Sequence, residues 1–328
     1  MLLGGPRRGR SRRPRPHDTR AASSDPQSLV ARILAEADAE HRLPHTPSYE
    51  RQAMLGAGGF GAVHLARHRM TGRLVALKVL LPRVAVDQGM RERFRREIQV
   101  QARLIHPNVV ELLEHGETAG AFWFTMEYCQ GSSLARHLQA RGGRLRLGEA
   151  VPLLLDALAG LAGAHERGYV HRDVKPHNIL LARPPGGRGW TAKIGDFGLA
   201  RSFVETGLSG ATAADREAGS WPYMPPEQLE DFADARPSVD VWSVAATFYE
   251  LLAGVTPRGA CGGADQLAAV LERRPVPVRV RVPDLPLPVA EVIDRALDID
   301  VTRRYQDAGE LRRALLRAIR GATGGGGS

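Results

Sequence analysis

The hydrophobic pattern of this chain changes character once, and that change limits the folds open to it. From Tyr49 to Glu127 the apolar residues come in short alternating runs. Met54-Leu55 and Ala62-Val63-His64-Leu65-Ala66 flank a glycine-rich turn, and Leu74 to Leu80 follows a Thr71-Gly72 turn. Val109 to Leu113 and Phe122 to Glu127 come later; all read as strands. One helix interrupts them, with Met90, Phe94, Ile98 and Ile105 at helical spacing and His106-Pro107-Asn108 at its end. From Leu134 onward the spacing is helical. Residues 149–167 and 307–320 read as helices, and residues 239–253 are apolar nearly all round, as in a buried central helix. This predicts an α+β fold of two lobes, a small β-rich lobe (49–127) and a larger helical one (134–320) joined through 127–133, with a ligand cleft between them.

Composition narrows the class. The chain has 328 residues, 43% hydrophobic and 25% charged, enough to bury a sizeable core. Two cysteines, Cys129 and Cys261, exclude a disulfide scaffold and a multi-cysteine zinc module. Neither a run of about 18 apolar residues nor a signal-like start is found, so a cytoplasmic location is expected. The net charge of +9 is concentrated at one end: residues 1–20 hold seven arginines against Asp18 alone. Residues 1–24 therefore read as a disordered basic tail. Such a tail is either a solvated leader or a contact for nucleic acid, an acidic partner or an anionic membrane. Asp25-Pro26 opens an amphipathic extension over 25–48, and 321–328 form a glycine-rich, flexible end.

Of 45 basic residues only Lys78, Lys175 and Lys193 are lysine, leaving 42 arginines; the only asparagines are Asn108 and Asn178. In so arginine-biased a chain, a surviving lysine marks a candidate position where a compact ammonium is needed and a planar guanidinium does not fit.

The chemistry concentrates in three places. The turn Leu55-Gly56-Ala57-Gly58-Gly59-Phe60-Gly61-Ala62-Val63 has glycines that let backbone amides approach a polyphosphate. It is not a Walker loop, because no Gly-Lys-Ser/Thr follows and the next element is a strand. Lys78 lies in the apolar strand Val75 to Val79 and needs a partner there, for which Glu97 on the following helix is the candidate. The densest segment is His171-Arg172-Asp173-Val174-Lys175-Pro176-His177-Asn178, followed by Lys193-Ile194-Gly195-Asp196-Phe197-Gly198. Asn178 and Asp196 supply the hard oxygen donors that Mg²⁺ prefers. Asp173 suits acceptance of a hydroxyl proton, and Lys175 suits neutralisation of charge on a transferring phosphoryl group.

These motifs, in this order, resemble the eukaryotic-type protein kinases over roughly Tyr49 to Arg320. The resemblance implies ATP and Mg²⁺ as cofactors and proteins as substrates. It places the Gly56 to Gly61 loop over the ATP phosphates, with Leu55, Ala57, Gly58, Gly59, Phe60, Val63 and Ala76 among the nucleotide-binding residues. It also implies that Lys78 holds the α- and β-phosphates while pairing with Glu97, that Asp173 is the catalytic base assisted by Lys175, and that Asn178 and Asp196 carry the metal. Phe197 would report on assembly of the site. Met126 takes the gatekeeper position, and Glu127 to Cys129 the hinge that contacts adenine. Pro225-Pro226-Glu227 stands where the family has Ala-Pro-Glu, with Glu227 expected to pair with Arg304; Asp240 would anchor the catalytic loop. Lys175 and the Gly219-Ser220 pair resemble the serine/threonine branch, and the arginine-rich composition resembles its bacterial members. Arg172 implies a phosphate on the activation segment, for which Thr212 is the candidate autophosphorylation site. The rival readings are a pseudokinase-like nucleotide-binding scaffold and a small-molecule kinase; the second should lack the long segment ending in Pro-Pro-Glu. Oligomeric state is left open.

Overall fold

The computed structural model describes residues 46–58, 61–80, 92, 95, 98–99, 101–118, 121–184, 186–197, 220–230, 235–259 and 266–324. The small lobe is a five-stranded antiparallel sheet: β1 (Tyr49–Gly58), β2 (Gly61–His68), β3 (Leu74–Leu80), β4 (Leu112–Thr118) and β5 (Ala121–Glu127), in the order β1-β2-β3-β5-β4. Strand alternation divides its side chains between two faces. Val75, Leu77 and Val79 of β3 join Tyr49 and Ala66 on one face, where Trp123 packs against them. Ala76 and Leu80 join Ala62, Phe124, Met126 and Cys129 on the other, and Lys78 shares their parity on the strand. Residues 92, 95, 98, 99 and 101–103 are helical, and Ile98 is buried against this second face.

One expected strand divides. Val109 and Val110 pair with the large lobe through their backbone: Val109 bridges Ile194, and the Val110 N–H donates to the Ile194 carbonyl at 2.8 Å, while the Val109 side chain is buried in the large-lobe core and that of Val110 in the second face of the sheet. β4 starts only at Leu112. A run of β-branched residues signals extended backbone but not which partner it pairs with.

Among the described residues the large lobe contains α1 (Leu134–Ala140), α2 (Leu147–His165), the hairpin β6 (Ile179–Ala182) and β7 (Thr191–Ile194), α3 (Pro226–Glu230), α4 (Pro237–Ala253), α5 (Gln266–Glu272), α6 (Val278–Arg281), α7 (Leu287–Ala296) and α8 (Ala308–Gly324). α4 is buried on all sides, with Trp242 fully enclosed, as its apolar surround predicts. The guanidinium groups of Arg258 and Arg304 each lie 4.6 Å from the Trp242 ring centroid. α2 is long and apolar enough by length and composition to cross a membrane, yet Leu153, Leu154, Leu158 and Leu161 are packed into the core of this lobe. A Cβ on Gly160 of α2 would stand 2.3 Å from the Asn108 carbonyl oxygen, so the His106-Pro107-Asn108 loop rests directly on helix backbone there. α8 runs past the expected end at Arg320 through Gly321-Ala322; a helical glycine weakens a helix by about 1 kcal/mol and does not by itself end it.

Candidate active site

Hairpin register brings the two metal-ligand candidates together. β6 and β7 pair antiparallel with Ile179 opposite Ile194, and the Gly195 N–H donates to the Asn178 carbonyl at 2.8 Å. Asn178 therefore leads into one strand where Asp196 leaves the other. Asp196 has φ 56°, a left-handed conformation uncommon for a residue with a side chain. The other non-glycine residues with positive φ among those described are Ser132 (63°), just after the hinge, and Arg172 (69°). Arg172 and Asp196 belong to the polar cluster itself, the kind of place where strained backbone is retained for function.

The segment 171–178 is held from below. Both oxygens of Asp240 on α4 accept backbone donors: Oδ2 from His171 N–H at 2.7 Å and Oδ1 from Arg172 N–H at 2.8 Å. His165 Nε2 lies 2.9 Å from Oδ2, and His165 Nδ1 accepts from Ala308 N–H, so the proton on Nε2 points at the carboxylate. Burial alone would raise the Asp240 carboxyl; the bonds from the His165 ring and the His171 backbone N–H hold it below its ordinary value. His171 Nδ1 accepts from Asp173 N–H at 3.2 Å, so Nε2 donates to the Gly195 carbonyl at 2.8 Å. The same ring meets Phe197 edge-on, centroids 4.7 Å apart. The Arg172 carbonyl accepts from the buried Gln228 side chain at 2.7 Å. His165 and Gln228 had no sequence signal, because their partners lie 75 and 56 residues away.

Side chains converge above this support. Asn178 Nδ2 donates to the Asp173 carbonyl at 2.8 Å and to Asp173 Oδ2 at 2.9 Å. Lys175 Nζ lies 2.9 Å from the same Oδ2 and donates to Ser220 Oγ at 2.5 Å. From the small lobe, Lys78 Nζ reaches Asp196 Oδ1 at 2.8 Å; 15% and 36% of these side chains are exposed. Burial pushes the Asp196 carboxyl up, and Lys78, aided by Lys175, more than offsets this, leaving it below its ordinary value. Glu97, the expected partner of Lys78, lies outside the described residues, as do Gly59, Phe60, Thr212 and the tail 1–24.

Ala76, Met126 and Cys129 are buried in one cluster, with Leu55 and Val63 packed against it. Leu180 of β6 also packs there, a floor for the cleft that the sequence reading missed. Burial and the Glu127 charge push the Cys129 thiol up to about 12, so it stays protonated. A Cβ on Gly61 would stand 2.0 Å from the Val79 carbonyl oxygen, whereas one on Gly56 meets nothing within 4 Å. Sheet packing thus explains Gly61 but makes no demand for glycine at 56. Elsewhere in the large lobe, Arg304 grips Glu227 with two bonds, 2.6 and 3.1 Å.

The family described as protein kinase domain matches residues 49–311. The chain belongs to the protein kinase family. The serine/threonine-protein kinase PknJ of Mycobacterium tuberculosis is 36% identical over 276 residues, 83% of this chain and 46% of that protein. PknF of the same species, also named a serine/threonine-protein kinase, is 38% identical over 272 residues, 82% of this chain and 56% of the relative. The crystal structure of the M. tuberculosis PknI kinase domain superposes with a TM-score of 0.64 at 29% identity, covering 84% of this chain and 97% of that one. This kinase chain spans about half the length of the curated relatives it matches. Its fold is the bilobal α+β kinase fold, with the sheet in one lobe and the helices in the other.

Proposed function

We propose that this chain is a serine/threonine protein kinase domain that transfers the γ-phosphoryl group of ATP to protein hydroxyls. One observation carries the reading: Lys78 of the small lobe meets Asp196 of the large lobe at 2.8 Å, across a cleft that also holds Asp173, Lys175 and Asn178. The adenine would lie between Ala76 and Leu180, beside the hinge from Glu127 to Cys129, with its phosphates under the Gly56 to Gly61 turn.

The residues fit a magnesium ion. With Asn178 Nδ2 committed to Asp173, its amide oxygen is left for a cation, and Asp196 keeps Oδ2 while Oδ1 faces Lys78. Mg²⁺ commonly takes one or two protein oxygens and completes its shell with phosphate and water. Bound there, it would neutralise charge on the β- and γ-phosphates.

Asp173 is suited to be the base. Lys175 and Asn178 fix Oδ2, which leaves Oδ1 for a substrate hydroxyl. As the hydroxyl oxygen bonds to the γ-phosphorus, its proton passes to Asp173 and the bond to the β-phosphate oxygen breaks, releasing ADP. Lys175 neutralises the transferring group while Ser220 holds it in place. Thr212 is proposed as the autophosphorylation site, with Arg172 receiving the phosphate.

Transfer from labelled ATP with Mg²⁺ to the chain itself and to a generic protein substrate tests the reading. Asp173→Asn should lose at least about 10²-fold in turnover, the usual contribution of a general base. Equal, background rates for wild type and variant would leave the nucleotide-binding scaffold standing. Phosphopeptide mapping that finds Thr212 unmodified in active protein would remove that site alone.

A further inference from the structure

The proposed chemistry uses two of the three lysines and one of the two asparagines. Of the remaining two, Lys193 lies on β7 and Asn108 bonds to that strand from the His106-Pro107-Asn108 loop. Lys193 Nζ in β7 donates to Glu127 Oε2 at 2.8 Å, with 14% and 24% of the side chains exposed. Glu127 ends β5 and begins the hinge, and its N–H donates to the Glu111 carbonyl at 2.9 Å. Asn108 holds β7 on either side of Lys193: its amide donates to the Ala192 carbonyl at 3.0 Å, and its own carbonyl accepts from Ile194 N–H at 2.9 Å. Asp196 follows Ile194 by two residues. The Lys193 charge also reaches Cys129, where it draws the hinge thiol down against burial. One half-buried ion pair therefore joins the segment expected to hold adenine to the strand that delivers the metal-ligand candidate. An ammonium suits this single contact; a guanidinium would bring four further N–H donors that need partners.

We propose that Lys193 and Glu127 act as a strut that sets the distance between hinge and Asp196, making Lys193 a positioning residue for nucleotide affinity. This rests on the reading of the cleft as an ATP site. Remove the lysine and Glu127 is left as a half-buried carboxylate beside the adenine, free to pull the hinge out of line. Asn108 keeps β7 in place meanwhile, so Asp196 stays oriented and the chemical step is spared.

Steady-state kinetics and direct ATP binding on wild type, Lys193→Met, Glu127→Gln and the double variant test it, with thermal melting of each as the check on folding. Lys193→Met should raise both KM and Kd for ATP roughly tenfold, a size that coupling between contacting charges commonly reaches, with kcat changed less than about threefold. The double variant should bind ATP more tightly than Lys193→Met, because it also removes the unpaired carboxylate. Unchanged ATP affinity in Lys193→Met, even with a lowered melting temperature, would overturn the strut, as would single effects that simply multiply in the double variant. If Lys193→Met does not fold, Glu127→Gln decides: ATP affinity equal to wild type overturns the proposal, and a loss supports it. A wild type that neither turns over nor binds ATP would instead sink the kinase reading, and the strut with it.

Discussion

The two lobes bury their side chains differently. The large lobe has one continuous core running from α2 through α4 to α8, with Trp242 at its centre. The sheet lobe has two smaller clusters, one on each face of a single layer. A residue under the catalytic loop is thus supported by the largest apolar mass in the molecule, whereas Lys78 rides on a thin platform. Asp173, Asn178 and Asp196 belong to the deep side, and Lys78 comes to them. Local opening usually begins where buried apolar contacts are fewest, so the sheet lobe should open first.

Truncations in the two cores are the strongest way to break this comparison. Trp242→Ala should destabilise by about 4 kcal/mol, in the range for large aromatic losses, and should speed amide exchange in α4 more than in the sheet, which already exchanges through its own opening. Phe124→Ala should speed exchange through β1 to β5 while α4 keeps its protection. Equal loss of α4 protection in both variants would mean that the lobes unfold as one unit.

A smaller effect should appear with acid. Asp240 titrates below its ordinary value of 3.8 in the folded chain, so it binds a proton less readily folded than unfolded. Its contribution is therefore present above about pH 4 and lost as pH falls through the folded value. Denaturant melts from pH 7 to pH 2 should show a shallower acid limb in Asp240→Asn than in wild type, and parallel limbs would show that the catalytic loop is anchored elsewhere.

The smallest expected change in stability is at Lys78. A third of the Asp196 side chain is exposed, so water can solvate the charge left behind, and Lys78→Met should shift stability by less than about 1 kcal/mol. Phosphoryl transfer should nonetheless fall to background. A large loss of melting temperature would make this pair part of the architecture of the small lobe.

What the sequence disclosed follows from the range of each signal. Lys78, Asp173, Lys175, Asn178 and Asp196 were legible because polar groups in apolar or glycine-bounded strings need a chemical reason. The split at Val109-Val110, the floor at Leu180 and the ties made by His165, Gln228 and Lys193 were not. Each depends on a partner far along the chain, and alternation or spacing within one segment carries no information about that partner. Burial of α4 could be read, since its apolar character surrounds the helix; what α4 holds in place through Asp240 was reached only through resemblance.

The rung from Gly195 to Asn178 has a consequence for how this chain can vary. Residues 183–190 connect β6 to β7 without setting their alignment, so length changes there should leave the two oxygen donors side by side. Deleting a single residue from either strand would turn its following side chains to the opposite face and carry one donor away from the other. Insertions in that connection should therefore be tolerated, while the eight residues of the two strands admit substitution but not a change in number.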